Sequence, residues 1–241
     1  MKKLLLHSIL SLLMVSFCNA QEKPISIDEM TELMQNVNSI YNQKEYHVAI
    51  EISSYKGHYS VIPEDHSKGF IHKKNETVEQ YQLGIYSLQN KQIKIMIDST
   101  ENMVGITYPD STFSQTFAID TGYVNKYKNA ITNISKIETN NGVVLLNISY
   151  KKGLPFEKIY IRIHQDFIEE ITLFYANEIE YEDDNSQLLK DKPKLKINFR
   201  KMISNQKTKF NLTDIVYKVD KKYVLTDKFK NFELIDFRYN N

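Results

Sequence analysis

The chain has 241 residues, 31 basic and 30 acidic side chains, and a formal net charge of +1. Such a balance lacks the basic excess that nucleic-acid binding asks for. A hydrophobic share of 41% is that of a globular rather than a disordered protein, and a lone cysteine excludes an intramolecular disulfide.

The first twenty residues predict an export signal. Lys2 and Lys3 precede an apolar run from Leu4 to Phe17, broken only by His7, Ser8, Ser11 and Ser16. Cys18-Asn19-Ala20 then supplies the small residues of a cleavage site, ahead of polar Gln21-Glu22-Lys23. The run is shorter than the roughly 20 consecutive apolar residues of a membrane span. Cys18 raises a lipoprotein anchor as the alternative, but bulky Phe17 stands where that processing wants a small residue. Cleavage after Ala20 is therefore expected, giving a periplasmic or secreted protein whose residues 21–241 form one domain without a thiol. Removal of Lys2 and Lys3 brings the formal charge to −1.

Ser26 and Glu29 form an S-x-x-E capping box, and Ile27, Met30, Leu33, Met34, Val37, Ile40 and Tyr41 recur at helical spacing behind it. No run of Lys or Arg marks the opposite face, so the stripe is expected to pack on a sheet. Period-two alternation dominates the rest of the chain. Tyr46, Val48, Ile50 and Ile52 share one face of a strand, and weaker strands are expected over Gly69–Lys73 and Val78–Leu88. Ile93, Ile95 and Ile97 begin another, with Asp98–Glu101 as the turn into Asn102–Tyr108. Tyr123, Tyr127 and Ile131 at four-residue steps predict a short helix within Asp120–Ile131.

Strands resume at Ile134–Thr139 and Val143–Tyr150 around the turn Asn140-Asn141-Gly142. A further hairpin, Lys158–His164 with Phe167–Tyr175, turns near Gln165-Asp166. The acidic stretch Glu178–Lys192 reads as an exposed loop, followed by strands at Leu195–Phe199, Lys222–Thr226 and Phe232–Phe237. About ten strands with hairpin connections imply an antiparallel sheet with one apolar and one wet face. The predicted fold is thus α+β and β-dominated: a curved antiparallel sheet, or half-barrel, with the N-terminal helix packed on its apolar face.

The order of elements resembles the periplasmic lipoprotein carriers of the LolA-like fold. The resemblance rests on the helix at Ile25–Gln43, the strand Glu45–Tyr55, the hairpin Phe156–Tyr175 and the strand Lys194–Lys201. It extends in outline over the mature chain without matching a diagnostic functional residue of those carriers. The family likeness implies a concave apolar surface that shelters an acyl chain, and a lipid or lipoprotein ligand.

Residues able to carry chemistry form no recognised constellation. His58, Glu64, Asp65, His66 and His72 crowd one stretch, but their spacing fits no helical metal pair such as H-E-x-x-H. Glu178, Glu180, Glu182, Asp183 and Asp184 lack the glycine and distal glutamate of a calcium loop. No G-x-S-x-G nucleophile elbow and no glycine-rich phosphate cradle occurs. A carboxylate-pair hydrolase leaves no fixed spacing to read. Sixteen tyrosines suit either strands or a pocket rim. Sequons at Asn75, Asn133, Asn147 and Asn211 matter only on a eukaryotic secretory route.

The reading is a non-enzymatic binding protein, with no catalytic residue, metal or cofactor. Its candidate apolar lining is Val48, Ile50, Ile52, Ile95, Ile97, Ile161, Ile163, Ile171 and Leu173. The alternative is an envelope module that binds a protein partner and no small ligand. Neither reading involves nucleic acid or a membrane span.

Overall fold

The structure, a computed structural model, describes residues 21–38, 43–110, 127–182, 187–202 and 210–239. A short edge strand β1 (Lys23–Pro24) leads into helix α1 (Ile27–Asn38). The predicted capping box is formed: the Glu29 amide donates to Ser26 Oγ at 3.1 Å and the Ser26 amide to Glu29 Oε2 at 2.8 Å. Ile40 and Tyr41, the last residues of the predicted stripe, lie outside the described residues, as does the leader.

The next strands are β2 (Glu45–Tyr55), β3 (Asp65–Lys74), β4 (Thr77–Gln82), β5 (Ile85–Gln89), β6 (Lys94–Asp98) and β7 (Met103–Thr107). The chain resumes with β8 (Ile131–Glu138), β9 (Val143–Tyr150), β10 (Phe156–His164) and β11 (Phe167–Tyr175). Then come β12 (Ile179–Glu182), β13 (Leu188–Asp191), β14 (Lys194–Lys201), β15 (Val216–Val219), β16 (Lys222–Leu225) and β17 (Glu233–Asp236). Thirteen of these form one curved, open sheet in the order β1-β8-β9-β10-β11-β14-β2-β3-β4-β5-β6-β7-β17. Every pair is antiparallel except β17, which adds parallel to β7. The fold is a β-dominated half-barrel with α1 on an apolar face.

Several boundaries differ from the sequence reading. Val78–Leu88 is two strands, split by Leu83 and Gly84 at φ of 50° and 84°. A leucine in the left-handed region gives no turn signal, so only the glycine marks the break. Glu178–Lys192 is a hairpin of its own, β12 against β13, rather than a loop. Its alternating acids leave too little hydrophobicity to betray a strand. From the short helix expected in Asp120–Ile131, residues 120–126 lie outside the described part. Beyond them Lys128–Ala130 is a single 3-10 turn and Ile131 already starts β8.

The larger difference concerns the faces. Across the register, Val48 faces Ile71, and Ile50 pairs with Phe199 of β14. These residues join Met30, Met34 and Val37 of α1 in one core. One step along, His47 pairs with His72, His72 with Glu79, Glu79 with Leu88, Leu88 with Ile95 and Ile95 with Ile106. Side chains on that row point to the reverse face, because neighbours in a strand alternate. There Leu88, Ile95, Ile97, Val104 and Ile106 form a second core with Ile215, Val216 and Phe229 from residues 210–239. The sheet therefore buries one face under α1 and the other under the C-terminal segment. An apolar-in, wet-out alternation therefore holds within strands such as β6 and β10, but the buried face changes from one half of the sheet to the other.

Candidate functional site

The helix face is assembled from strands that are distant in sequence. Strand β2 contributes Val48 and Ile50, β10 contributes Ile161 and Ile163, and all four are buried in the core that includes Met30, Met34 and Val37 of α1. Ile52 and Ile171 are partly buried on the same core, and Leu173 stands beside Ile171, half-exposed, next to Leu195 in register. Ile95 and Ile97 belong to the second core on the reverse face. Seven of the nine candidate residues thus share a face, and two lie on the other. Their alternation is visible in sequence. The parity that assigns each strand's odd or even residues to one face depends on register, which single strands do not reveal.

Among the described residues the cover over the helix face is slight. Met30, Met34 and Val37 are each about 1% exposed, Leu33 and Ile27 pack beside them, and the rest of α1 is polar. Two methionines on the inward stripe are adaptable contacts, since an unbranched thioether fills irregular space.

The titratable groups form local pairs. His58 Nε2 donates to the Tyr175 carbonyl, 3.1 Å away, and its Nδ1 lies 3.5 Å from Glu157. His66 Nδ1 meets Ser53 Oγ at 3.0 Å, and His164 meets Glu169 at 3.1 Å. The five residues of the His58–His72 stretch do not converge. Among the described residues no group of three or more His, Cys, Asp or Glu could hold a metal ion. Glu180 of the acidic stretch pairs with Lys190 at 2.5 Å across the β12–β13 hairpin. Asp183 and Asp184 lie outside the described residues.

One polar network is buried. On the reverse face His47, His72 and Glu79 are each at most 5% exposed. The Tyr86 hydroxyl donates to Glu79 Oε1 at 2.8 Å, and His72 Nδ1 lies 3.6 Å from Glu79 Oε2. The two imidazole rings lie 5.2 Å apart between centroids. Burial, reinforced by His72, pushes the His47 pKa down against a smaller pull from Glu79. Burial and the Glu79 bond push the Tyr86 phenol up.

Two surface features escape the sequence reading. The β2–β3 loop exposes Tyr59, Val61 and Ile62 at 95%, 85% and 80%. The run Tyr59-Ser60-Val61-Ile62-Pro63 carries the signal, an apolar cluster at a proline turn, hidden among histidines that draw attention as ligands. The second is a cavity of about 380 Å³ on the reverse face of β8, β9 and β10, bounded by Glu22, Asn147, Tyr160 and Arg162. Its polar residues come from alternate positions of three strands and from the chain before β1, a grouping that no local pattern announces.

Fold and site together define a β half-barrel whose described residues pack both apolar faces. No protein-family model and no curated protein matches the sequence. Among solved structures the chain is similar to a LolA superfamily protein from Nitrosomonas europaea. That likeness is 9% identical, covers 70% of this chain and 90% of the other, and has a TM-score of 0.27. It is also similar to a domain described as an outer membrane lipoprotein-sorting protein from Vibrio parahaemolyticus. There the identity is 9%, the coverage 78% and 97%, and the TM-score 0.30. These are likenesses of general outline, and the fold class rests on the sheet and helix themselves. Among the described residues no helix is long and apolar enough to cross a membrane.

Proposed function

We propose that this chain is an exported, non-enzymatic binding protein that takes an apolar ligand, a lipid or acyl chain, on the face covered by α1. Val48, Ile50, Ile52, Ile161, Ile163 and Ile171 would meet the ligand, with Leu173 at the rim. Ile95 and Ile97 would belong to a separate surface beneath the C-terminal segment. The observation that supports this reading is the slightness of the cover, a twelve-residue helix anchored by Met30, Met34 and Val37.

Lifting three buried apolar side chains costs about 5–9 kcal/mol at roughly 1.5–3 kcal/mol each. An acyl chain offsets about 0.8 kcal/mol per buried methylene, so about 6–11 methylenes are needed to break even. Fluorescent and natural fatty acids therefore separate by length: palmitate is expected to bind and octanoate to fail. Lipid extraction of the purified protein followed by mass spectrometry provides the companion test. An absence of co-purified lipid together with no palmitate binding would sink the reading.

A second reading is favoured by the β2–β3 loop. Tyr59, Val61 and Ile62 stand almost fully exposed on one loop, and a contiguous exposed apolar patch often marks a contact site. In this reading the chain is an envelope interaction module and the loop is its contact. A photo-crosslinker at Tyr59 in cells should then trap a stable partner, and Val61→Ser with Ile62→Ser should release it.

A further inference from the structure

The cavity on the reverse face has an uneven electrical ledger. Arg162 is bound through Nε to Glu169 at 3.0 Å. Glu170 pairs with Lys196 at 2.7 Å and accepts from the Thr172 hydroxyl at 3.0 Å. Each of those charges already has its counterpart. Glu22 does not: among the described residues its one partner is the buried Ser135 hydroxyl, which donates to Oε1. Beside it on β9, directly opposite Ser135 in register, stands Asn147. The side-chain amide oxygen of Asn147, Oδ1, is buried and accepts no hydrogen bond among the described residues. Buried polar atoms of this kind are rarely left unsatisfied in native proteins.

The remaining walls are apolar. Ile137 and Leu145 pair across β8 and β9 on the same reverse face, and the Tyr160 ring stands opposite Asn147 on β10. The cavity therefore offers a carboxylate without a cation, a carbonyl without a donor, and an apolar floor. A ligand that completes it brings a positive charge, an N–H and a hydrocarbon body. The volume of about 380 Å³ lies at the small end of the range for ligand pockets.

We propose that this cavity is a binding site for a small organic ammonium ion with an apolar or aromatic body. The ammonium sits against Glu22 and donates toward the Asn147 amide, while the body lies on Ile137, Leu145 and Tyr160. An anionic ligand of the same shape is rejected, because Glu22 repels it and Arg162 is already held by Glu169. The site lies on the opposite face from α1 and does not depend on an acyl ligand there.

Phenethylamine is the probe, with phenylacetate, phenethyl alcohol and ethylamine as controls for charge and body. Titration into the full mature chain, followed by backbone amide NMR, reads both affinity and place. Phenethylamine is expected to shift the resonances of Ser135, Asn147 and Tyr160 saturably, and each control to bind at least about tenfold more weakly. Glu22→Gln, at an exposed position before β1, should weaken the probe about tenfold. Asn147→Asp adds a second carboxylate of the same shape and should tighten it several-fold, a gain that a purely structural role for Asn147 would not give. Equal binding of phenylacetate or the alcohol overturns the proposal. So does an unchanged affinity in Glu22→Gln, or the absence of any saturable shift at millimolar probe.

Discussion

His47 and His72 sit side by side on β2 and β3 with one carboxylate, Glu79, to share. Among the described residues, the charged groups acting on His47 are His72 and Glu79, and the Tyr86 hydroxyl is bound to that same carboxylate. Arg200 of β14 lies on the same face opposite Ala49 but is exposed. Because burial lowers the His47 pKa in the folded state, the unfolded chain binds its proton first. Stability from this residue is thus fully present above the ordinary histidine pKa of about 6.5. It is lost as the pH falls through that value toward the lowered folded one. The melting temperature should fall from pH 7.5 to pH 5 in the wild type. In His47→Gln that fall should be shallower. A wild-type curve as flat as the variant's over that range would remove the histidine from the account.

At the scale of elements, α1 and the hairpins show where the sequence was legible. The cap, stripe and start of α1 were readable because all their determinants are local. Ser26→Ala removes the hydroxyl arm of the capping box, leaving the residue-26 amide on Glu29, and should cost about 1 kcal/mol, or about 2–4 °C in melting temperature for a domain of this size. Ser26→Asp should retain most of that, as calorimetry would show. The β8–β9 turn was equally plain, since Gly142 takes the positive φ that its Asn-Gly signal demands. Strand β1 was not: two residues ending in Pro24, on the sheet's edge, leave no periodicity to find. Strand β15 was missed because Lys218 and the half-exposed Tyr217 blur its alternation. The candidate site suffered in another way. Every one of the nine lining residues was correctly read as strand, but grouping them required knowing that Ile95 pairs with Leu88 rather than facing Ile50.

For the whole molecule, the two cores divide the labour of stability. Residues 210–239 bury Tyr86, Leu88, Ile95, Ile97, Val104 and Ile106, with Ile95 and Ile106 wholly inaccessible. Uncovering six such side chains costs about 9–18 kcal/mol, as much as or more than the 5–15 kcal/mol by which a whole domain is stable. A chain ending at Met202 is therefore expected to be insoluble or unfolded, with collapsed dispersion in its NMR spectrum. A soluble, well-dispersed truncated chain would show that the second core is dispensable. Removing α1 opens the other core, which holds Val48, Ile50, Leu146, Ile161 and Ile163 among its buried side chains, and should be no less costly.

The change of buried face has a kinetic consequence. Between the two cores, consecutive residues are buried: Tyr46, His47 and Val48 in β2, Ile71 and His72 in β3, and Val78 and Glu79 in β4. Amides in that band can meet solvent only when both covers are gone, whereas those of β9 need one to leave. In native-state hydrogen exchange the seam should therefore be the slowest region of the chain. Its protection should approach the global unfolding free energy, while each flank opens earlier and independently. Protection that decays evenly from one edge strand to the other would mean that the two halves open as one.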